Sequence, residues 1–302
     1  MGTRIEVVVP DTVRAPEAAS VVFDTFTEVD ARMSEWKDTS PLSAVNREAG
    51  TAVAVPADLR AVVRRGLDVG ELTGGAFDIS WAPLWGLWDF RNTAAPRVPT
   101  DAEIAPRVAL VDYRKVVVDD VAGTVRLLEP GMKLGLGGIA KGHALDQSAA
   151  RLRARGVPDF LISSGGQVYA GGTKEGHLWR VGIRDPRGPL TDDFAVVQVS
   201  NGSVSTSGDY ESYFVVGGVR YHHILDPRTG KPARGLRSAT VIASDATLAD
   251  ALSTACMVLG ESRAVELIEG LEGVEAVLVT DAGAVVSTSG LAGRLEVKHA
   301  PR

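Results

Sequence analysis

The chain has 302 residues, 45% of them apolar and 23% charged, which is ample for a core and excludes disorder, collagen and coiled coil as overall readings. The formal net charge of −6 comes with no basic run, so no nucleic-acid partner is expected. Cys256 is the only cysteine, which excludes an intramolecular disulfide and a cysteine-based zinc site, and no run of about 18 apolar residues is present to span a bilayer.

The predicted elements start with a strand at 5–9. Interrupted by Glu6, this run is too short for a signal peptide. Any signal or lipid-attachment segment would precede this numbering, and membrane attachment is expected only through such a segment. A helix over 15–33 follows from the spacing of Val22, Phe26, Val29 and Met33, and Ser40-Pro41 is expected to break the chain. A second helix, over 57–73, sets Leu59, Val62, Val63 and Leu67 on one face and stops at Gly74-Gly75. Residues 81–90 hold three of the five tryptophans, and 91–109 reads as a Pro-rich surface excursion. A hairpin at 116–118 and 125–128 turns at Ala122-Gly123. A Gly-rich turn at 135–142 opens a helix over 141–155. A short strand at 160–162 leads into Ser163-Ser164-Gly165-Gly166. From 167 to 240 the pattern is mostly strands, at 179–183, 194–199, 213–216 and 239–242. A helix over 245–259 has Ser244 or Asp245 as its N-cap and Gly260 beyond its end. A helix at 262–269 and strands at 276–279 and 283–287 close the chain. Helices interleaved with hairpins predict an α+β fold with a largely antiparallel or mixed sheet, not a repeating βαβ array.

Four segments carry candidate chemistry. Gly135-Leu136-Gly137-Gly138-Ile139-Ala140-Lys141-Gly142 stands ahead of a helix, where backbone N–H groups and the helix N-terminus favour a phosphate. It fails as a Walker A loop, because Ala140 replaces the second Gly and Gly142 the Ser/Thr. It stays open between a structural turn, a non-Rossmann phosphate site and a dinucleotide loop; for the last, Asp159 lies at the wrong end of the next strand. Asp250 and Thr254, four apart on one helix face, offer oxygen ligands to a hard cation, or Asp250 merely complements the helix dipole. In His222-His223-Ile224-Leu225-Asp226-Pro227-Arg228-Thr229-Gly230 the histidines face opposite ways if extended, and one of them is a candidate base or phosphate ligand; the alternative is an exposed turn. Trp36 is either a stacking platform for a planar ring or part of a satellite core. The sequence has no H-E-x-x-H and no G-x-S-x-G, which argues against a zinc hydrolase and an α/β-hydrolase.

Taken in order, these segments resemble the ApbE family of FAD:protein FMN transferases. The resemblance rests on Met1-Gly2-Thr3, on 33–46 with Ser40-Pro41-Leu42-Ser43 and Asn46, and on Thr73-Gly74-Gly75-Ala76-Phe77-Asp78. It continues through Leu136-Gly137-Gly138-Ile139-Ala140-Lys141-Gly142 with Asp146, Ser207-Gly208-Asp209-Tyr210-Glu211, and 223–232, and ends on the helix of Asp250 and Thr254. It implies one ApbE-like flavin transferase domain over 1–302, of T-fold-like α/β modules, with FAD held between two lobes. It also implies magnesium at the FAD pyrophosphate and transfer of FMN to a Thr or Ser hydroxyl of a partner protein, with AMP released. The implied acceptor is a redox-pump-type subunit or a relative, on the extracytoplasmic (periplasmic) side.

Carried over by position, Met1, Ala76, Phe77, Asp78, Gly137, His143 and Ile224 match FAD-contacting residues, and Trp36 takes the place of an early-loop Tyr. Asp250, Thr254 and the Ala140 carbonyl match magnesium ligands. His223 matches the acid/base histidine, with Asp209 the next candidate. Two more departures stand out: Gly135 occupies the position of an Asp, and His143 that of a Tyr. The competing readings are hydrolysis of FAD to FMN and AMP, a carrier that holds FAD without chemistry, and, most distant, an NAD-dependent dehydrogenase.

Overall fold

Strand alternation and helical spacing decide most of the elements of the computed structural model, which describes residues 3–10, 13–90 and 95–302. It opens with β1 (Ile5–Val8) and α1 (Ala15–Met33). Val22, Phe26, Val29 and Met33 of α1 are buried, as their spacing requires. The expected break at Ser40-Pro41 is instead the start of α2 (Pro41–Arg47). Ser40 Oγ accepts the Ser43 N–H at 3.0 Å, and a proline at the first helical position gives up only an N–H that has no intrahelical partner.

Next come β2 (Ala52–Ala54) and α3 (Ala57–Leu72). The segment read as a surface excursion contains α4 (Asp101–Val108), started by a capping box. Thr100 Oγ1 accepts the Glu103 N–H at 3.4 Å, and Glu103 Oε2 accepts the Thr100 N–H at 2.8 Å. The hairpin β3 (Val116–Asp119) and β4 (Thr124–Leu127) forms where expected. α5 (Ala140–Ala154) leads to β5 (Phe160–Ser164), β6 (Gln167–Gly171), β7 (Trp179–Arg184), β8 (Asp193–Val199) and β9 (Gly202–Gly208). Two small hairpins follow: β10 (Tyr213–Val216) with β11 (Val219–His222), and β12 (Leu225–Asp226) with β13 (Lys231–Pro232). The chain closes with β14 (Leu236–Ala243), α6 (Ala246–Leu259), α7 (Glu261–Glu269), β15 (Glu275–Thr280), β16 (Val285–Ser287) and β17 (Leu295–Val297). Among the described residues no helix is long and apolar enough to cross a membrane.

The chain divides into two compact units. One comprises Met1–Glu28, Ile139–Gly208 and Gly235–Arg302. Its sheet has the order β1-β5-β6-β9-β14-β15-β16, with every neighbouring pair antiparallel, so the expected α+β class holds. Ala170, Val204, Ile242, Val277 and Val279 from this sheet form a core with Trp179, Ile183, Phe194 and Val197 of a second sheet, β17-β8-β7. α6 packs on β9 and β14, and α5 on α6 and β6. α6 is buried almost all round, which its four alanines allow by giving neighbours close approach.

The other unit comprises Val29–Gly138 and Asp209–Arg234. It holds the sheet β2-β4-β3 and an aromatic cluster of Trp88, Phe90, Phe214 and Tyr221 around Ile104. The Trp88 indole N–H donates to the Gly230 carbonyl at 2.8 Å. Gly230 has φ +67°, and a Cβ there would stand 2.7 Å from side-chain carbons of Ile104 and Val108, so only glycine serves.

Candidate active site

In the first unit, the contact between α5 and α6 depends on Gly142. A Cβ on Gly142 would lie 2.6 Å from the carbonyl carbon of Ala246 and 2.8 Å from Thr247 Cα, both backbone atoms that cannot swing aside. Asp146, one turn further along α5, ties the same two helices. Its Oδ1 accepts the Ala246 N–H at 2.9 Å, and its Oδ2 accepts the Thr247 N–H at 2.8 Å and the Thr247 hydroxyl at 2.6 Å. Asp245 caps α6 as well, accepting the Leu248 N–H at 2.8 Å. Burial, against the pull of those hydrogen bonds and with Asp245 adding like charge, pushes the Asp146 carboxyl up to about 6.

This arrangement sets Asp250 against the first turn of α5. Asp250 is buried; its Oδ2 accepts the Gly142 N–H at 3.0 Å, its Oδ1 accepts the Gln167 amide N–H at 3.1 Å, and Lys141 Nζ stands 4.0 Å from Oδ1. Burial pushes its carboxyl above the usual carboxylate range, and Lys141 and the Gly142 N–H pull the other way. Thr254 lies one turn along the same helix, its Oγ1 3.3 Å from Ser207 Oγ. Ala140 is the first residue of α5, two before Gly142, and His143 follows, half-buried. A buried carboxylate and, one turn along the same helix, a hydroxyl are hard-oxygen donors of the kind magnesium takes. Cys256, on the same helix, is buried and pushed up to about 12 by desolvation, which leaves it an inert thiol.

In the second unit, the start of the Gly-rich turn is held by an indole and a carboxylate. The Trp81 Nε1–H donates to the Gly135 carbonyl at 3.1 Å, and the Gly135 N–H donates to Ile79 O at 2.8 Å. A Cβ on Gly135 would lie 2.7 Å from Trp81 Nε1, so the indole accounts for the glycine at this position. Glu35 Oε2 accepts the Leu136 N–H at 3.1 Å. Gly137 is exposed, with nothing within 4 Å of where a Cβ would stand. Trp36, beside Glu35, is 61% exposed, so it is not a satellite-core residue. Its ring centroid is 3.5 Å from that of Trp85, which meets Trp81 edge-on at 6.5 Å. Glu35, three tryptophans and the Gly-rich turn therefore form one connected group.

The remaining sequence-derived candidates are placed as follows. Ala76 and Phe77 are buried, and the Phe77 N–H donates to Thr73 Oγ1 at 3.1 Å. Asp78 uses both carboxylate oxygens inside the protein. Its Oδ1 accepts the Ser80 N–H and hydroxyl, each at 2.7 Å, and its Oδ2 accepts the Tyr113 N–H at 2.9 Å, while burial pushes its carboxyl up. Met1 lies outside the described residues. The histidines alternate as an extended segment requires. His222 is buried with Nε2 2.8 Å from the Ala233 carbonyl oxygen, so that nitrogen carries the proton. His223 is exposed, its N–H donating to Ser212 O at 3.0 Å, and Ile224 is buried. Asp209 is buried, with Oδ2 3.7 Å from Arg220 Nε. Sequence reasoning assigned no role to Gln167, Asp146, Trp81 or Glu35. Gln167 and Asp146 act across more than 80 residues of chain, which no local spacing records.

The ApbE family model matches residues 1–278. The FAD:protein FMN transferase of Treponema pallidum is 36% identical over 299 residues, spanning 94% of this chain and 82% of that protein. The protein of the same name from Haemophilus influenzae is 34% identical over 272 residues, spanning 87% and 78%. Among solved structures, the ApbE protein of Thermotoga maritima matches with a TM-score of 0.87 at 35% identity, covering 97% of this chain and 95% of that one. The flavin transferase ApbE from Vibrio cholerae matches with a TM-score of 0.84 at 28% identity, covering 97% and 96%. With a family model matched over most of its length and relatives above 30% identity over nearly all of it, the chain belongs to the ApbE family.

Proposed function

We propose that this chain transfers the FMN moiety of FAD to a Thr or Ser hydroxyl of an acceptor protein and releases AMP, with magnesium at the pyrophosphate. The observation that carries the reading is the buried Asp250 carboxylate, held by Gly142 and Gln167 on the helix that also bears Thr254. Relatives named FAD:protein FMN transferase support the flavin chemistry. Asp250, Thr254 and the Ala140 carbonyl would hold the cation. When bound there, Mg2+ supplies withdrawal of charge from the phosphoryl oxygens.

The chain's own residues do the rest. The N-terminus of α5 attracts the pyrophosphate. The exposed Trp36 face takes the isoalloxazine ring. His223 accepts the proton of the acceptor hydroxyl as its oxygen forms a bond to the FMN-side phosphorus. The bridging P–O bond breaks, and AMP leaves with the electron pair. By resemblance to the family, the acceptor is a redox-pump-type subunit and the work is extracytoplasmic.

The test is incubation with FAD and Mg2+, with and without an acceptor protein, reading AMP and in-gel flavin fluorescence. Labelled acceptor with one AMP per label is the expected result, abolished by excess EDTA. AMP without label makes the chain a hydrolase, and bound FAD with neither product makes it a carrier.

A further inference from the structure

The sheet face beneath α6 in the first unit is polar where a buried face is ordinarily apolar. Ser207 Oγ is 2.9 Å from Ser253 Oγ, and the Ser253 hydroxyl donates to the Asp250 carbonyl at 2.9 Å. Gln167 stands opposite Ser164 on β5 and opposite Ser205 on β9, so the three side chains share this face. Ser164 and Gln167 close a two-residue turn made by Gly165, at φ +63°, and Gly166, whose Cβ would meet the Thr206 carbonyl oxygen at 2.6 Å. The turn therefore fixes where the two side chains stand.

The Gln167 amide has one possible orientation. Its NH2 faces the Asp250 carboxylate, because an amide oxygen there would oppose another acceptor. Oε1 consequently points away, and it is buried without a hydrogen-bond partner. The Oγ of Ser164, its cross-strand neighbour, is in the same condition. Gln167 is 5% exposed and Ser164 0%. Two unpartnered oxygens on a cross-strand pair, one of whose residues holds a buried carboxylate, call for a donor that completes them.

We propose that Gln167 is a positioning residue of the cation site: its amide N–H holds Asp250, and its Oε1, with Ser164 Oγ, accepts hydrogen bonds from water in the hydration shell of the cation. The proposal rests on the magnesium reading given above. Mg2+ sheds water reluctantly and keeps several waters in protein sites, and each carries the O–H donors these oxygens lack. Outer partners of this kind typically change metal affinity by about 10–100-fold.

The experiment titrates Mn2+ into the full chain with FAD present and acceptor absent, reading bound ion from the loss of the free-ion EPR signal. Melting temperatures are measured in EDTA and in Mn2+. Gln167→Leu is expected to weaken Mn2+ binding about 10–100-fold, and Ser164→Ala by a smaller factor. Gln167→Glu keeps the oxygen but sets two carboxylates together; its melting temperature falls in EDTA and recovers in Mn2+, which a purely structural glutamine would not produce. Wild-type Mn2+ affinity in Gln167→Leu, with binding lost in Asp250→Ala, overturns this proposal alone. If Gln167→Leu does not fold, unchanged affinity in Ser164→Ala, or no Mn2+ recovery in Gln167→Glu, overturns it. Undiminished binding in Asp250→Ala, or no binding by the wild type, overturns the magnesium reading and this proposal with it.

Discussion

Replacing Gly142 by alanine tests the contact that sets Asp250 against α5. The new Cβ would start 2.6–2.8 Å from backbone carbons of Ala246 and Thr247, where carbon atoms settle at about 3.5–4.0 Å. The helices must part by roughly 1 Å, an overpacking cost of about 1–3 kcal/mol. Parting them also stretches the Gly142 N–H bond to a buried carboxylate, now 3.0 Å, worth about 1.5–3 kcal/mol for a charged acceptor. Alanine returns about 1 kcal/mol of helix propensity. The net loss is therefore about 2–5 kcal/mol, a large part of a typical total of ~5–15 kcal/mol. At roughly 2–4 °C per kcal/mol, the melting temperature should fall by about 4–20 °C. Gly137→Ala is the internal control, because nothing lies within 4 Å of its Cβ position; it should melt within about 1 kcal/mol of the wild type. Circular-dichroism melts in EDTA measure both. A Gly142→Ala protein that melts with the wild type, or a Gly137→Ala protein damaged equally, would refute the packing argument.

Trp36→Ala should weaken FAD binding by about 1–3 kcal/mol, measured by quenching of tryptophan emission, while the melting temperature barely moves because the ring is 61% exposed. His223→Ala should slow transfer by about 10²–10⁴-fold with the melt unchanged. His222→Ala should do the reverse, losing about 1–3 kcal/mol of stability because the Ala233 carbonyl loses its donor, with a far smaller effect on rate. Asp146 titrates at about 6 in the folded chain against an ordinary 3.8, so between those values the folded state holds a proton that the unfolded state has lost. Its contribution to stability therefore falls as pH rises from about 4 to about 6, by up to about 3 kcal/mol. Urea midpoints at pH about 4.5 and about 6.5 should show a larger fall in the wild type than in Asp146→Asn, where the other raised carboxyls remain.

The elements that were legible in sequence are those whose signal is local. α6 shows its Asp245 cap and its Gly260 stop within one window, and the two histidines are separated by strand alternation alone. α2 and α4 were missed because their start signals contain or adjoin residues that elsewhere end helices. Ser40-Pro41 is a cap followed by a first-turn proline, and the Thr100–Glu103 capping box sits in a Pro-rich stretch. The Gly-rich turn was visible, but its division of labour was not. Gly135 makes room for an indole and Gly142 for another helix, whereas a Cβ on Gly137 would meet open space. These differences come from partners supplied by other segments, which spacing along one segment does not encode.

The charge arrangement around α6 gives the magnesium reading its physical sense. Asp146 and Asp245 both accept N–H groups in the first turn of α6, where the helix dipole favours negative charge. Asp250 comes little more than a turn later and is fully buried, so it gains less from the dipole and loses more solvation. Within the protein it is offset by one lysine at 4.0 Å and two neutral donors. Burial still pushes its carboxyl upward, so those partners do not fully replace water. A structural carboxylate in that position would be expected to give way to a neutral side chain, since a well-packed apolar group is often no less stable than a buried charge. A divalent cation beside Asp250 turns the same burial into an advantage, because attraction between opposite charges strengthens as water is excluded. In that reading the cap carboxylates, the close helix approach at Gly142 and the amide of Gln167 act together, each holding a negative oxygen in one place for a cation.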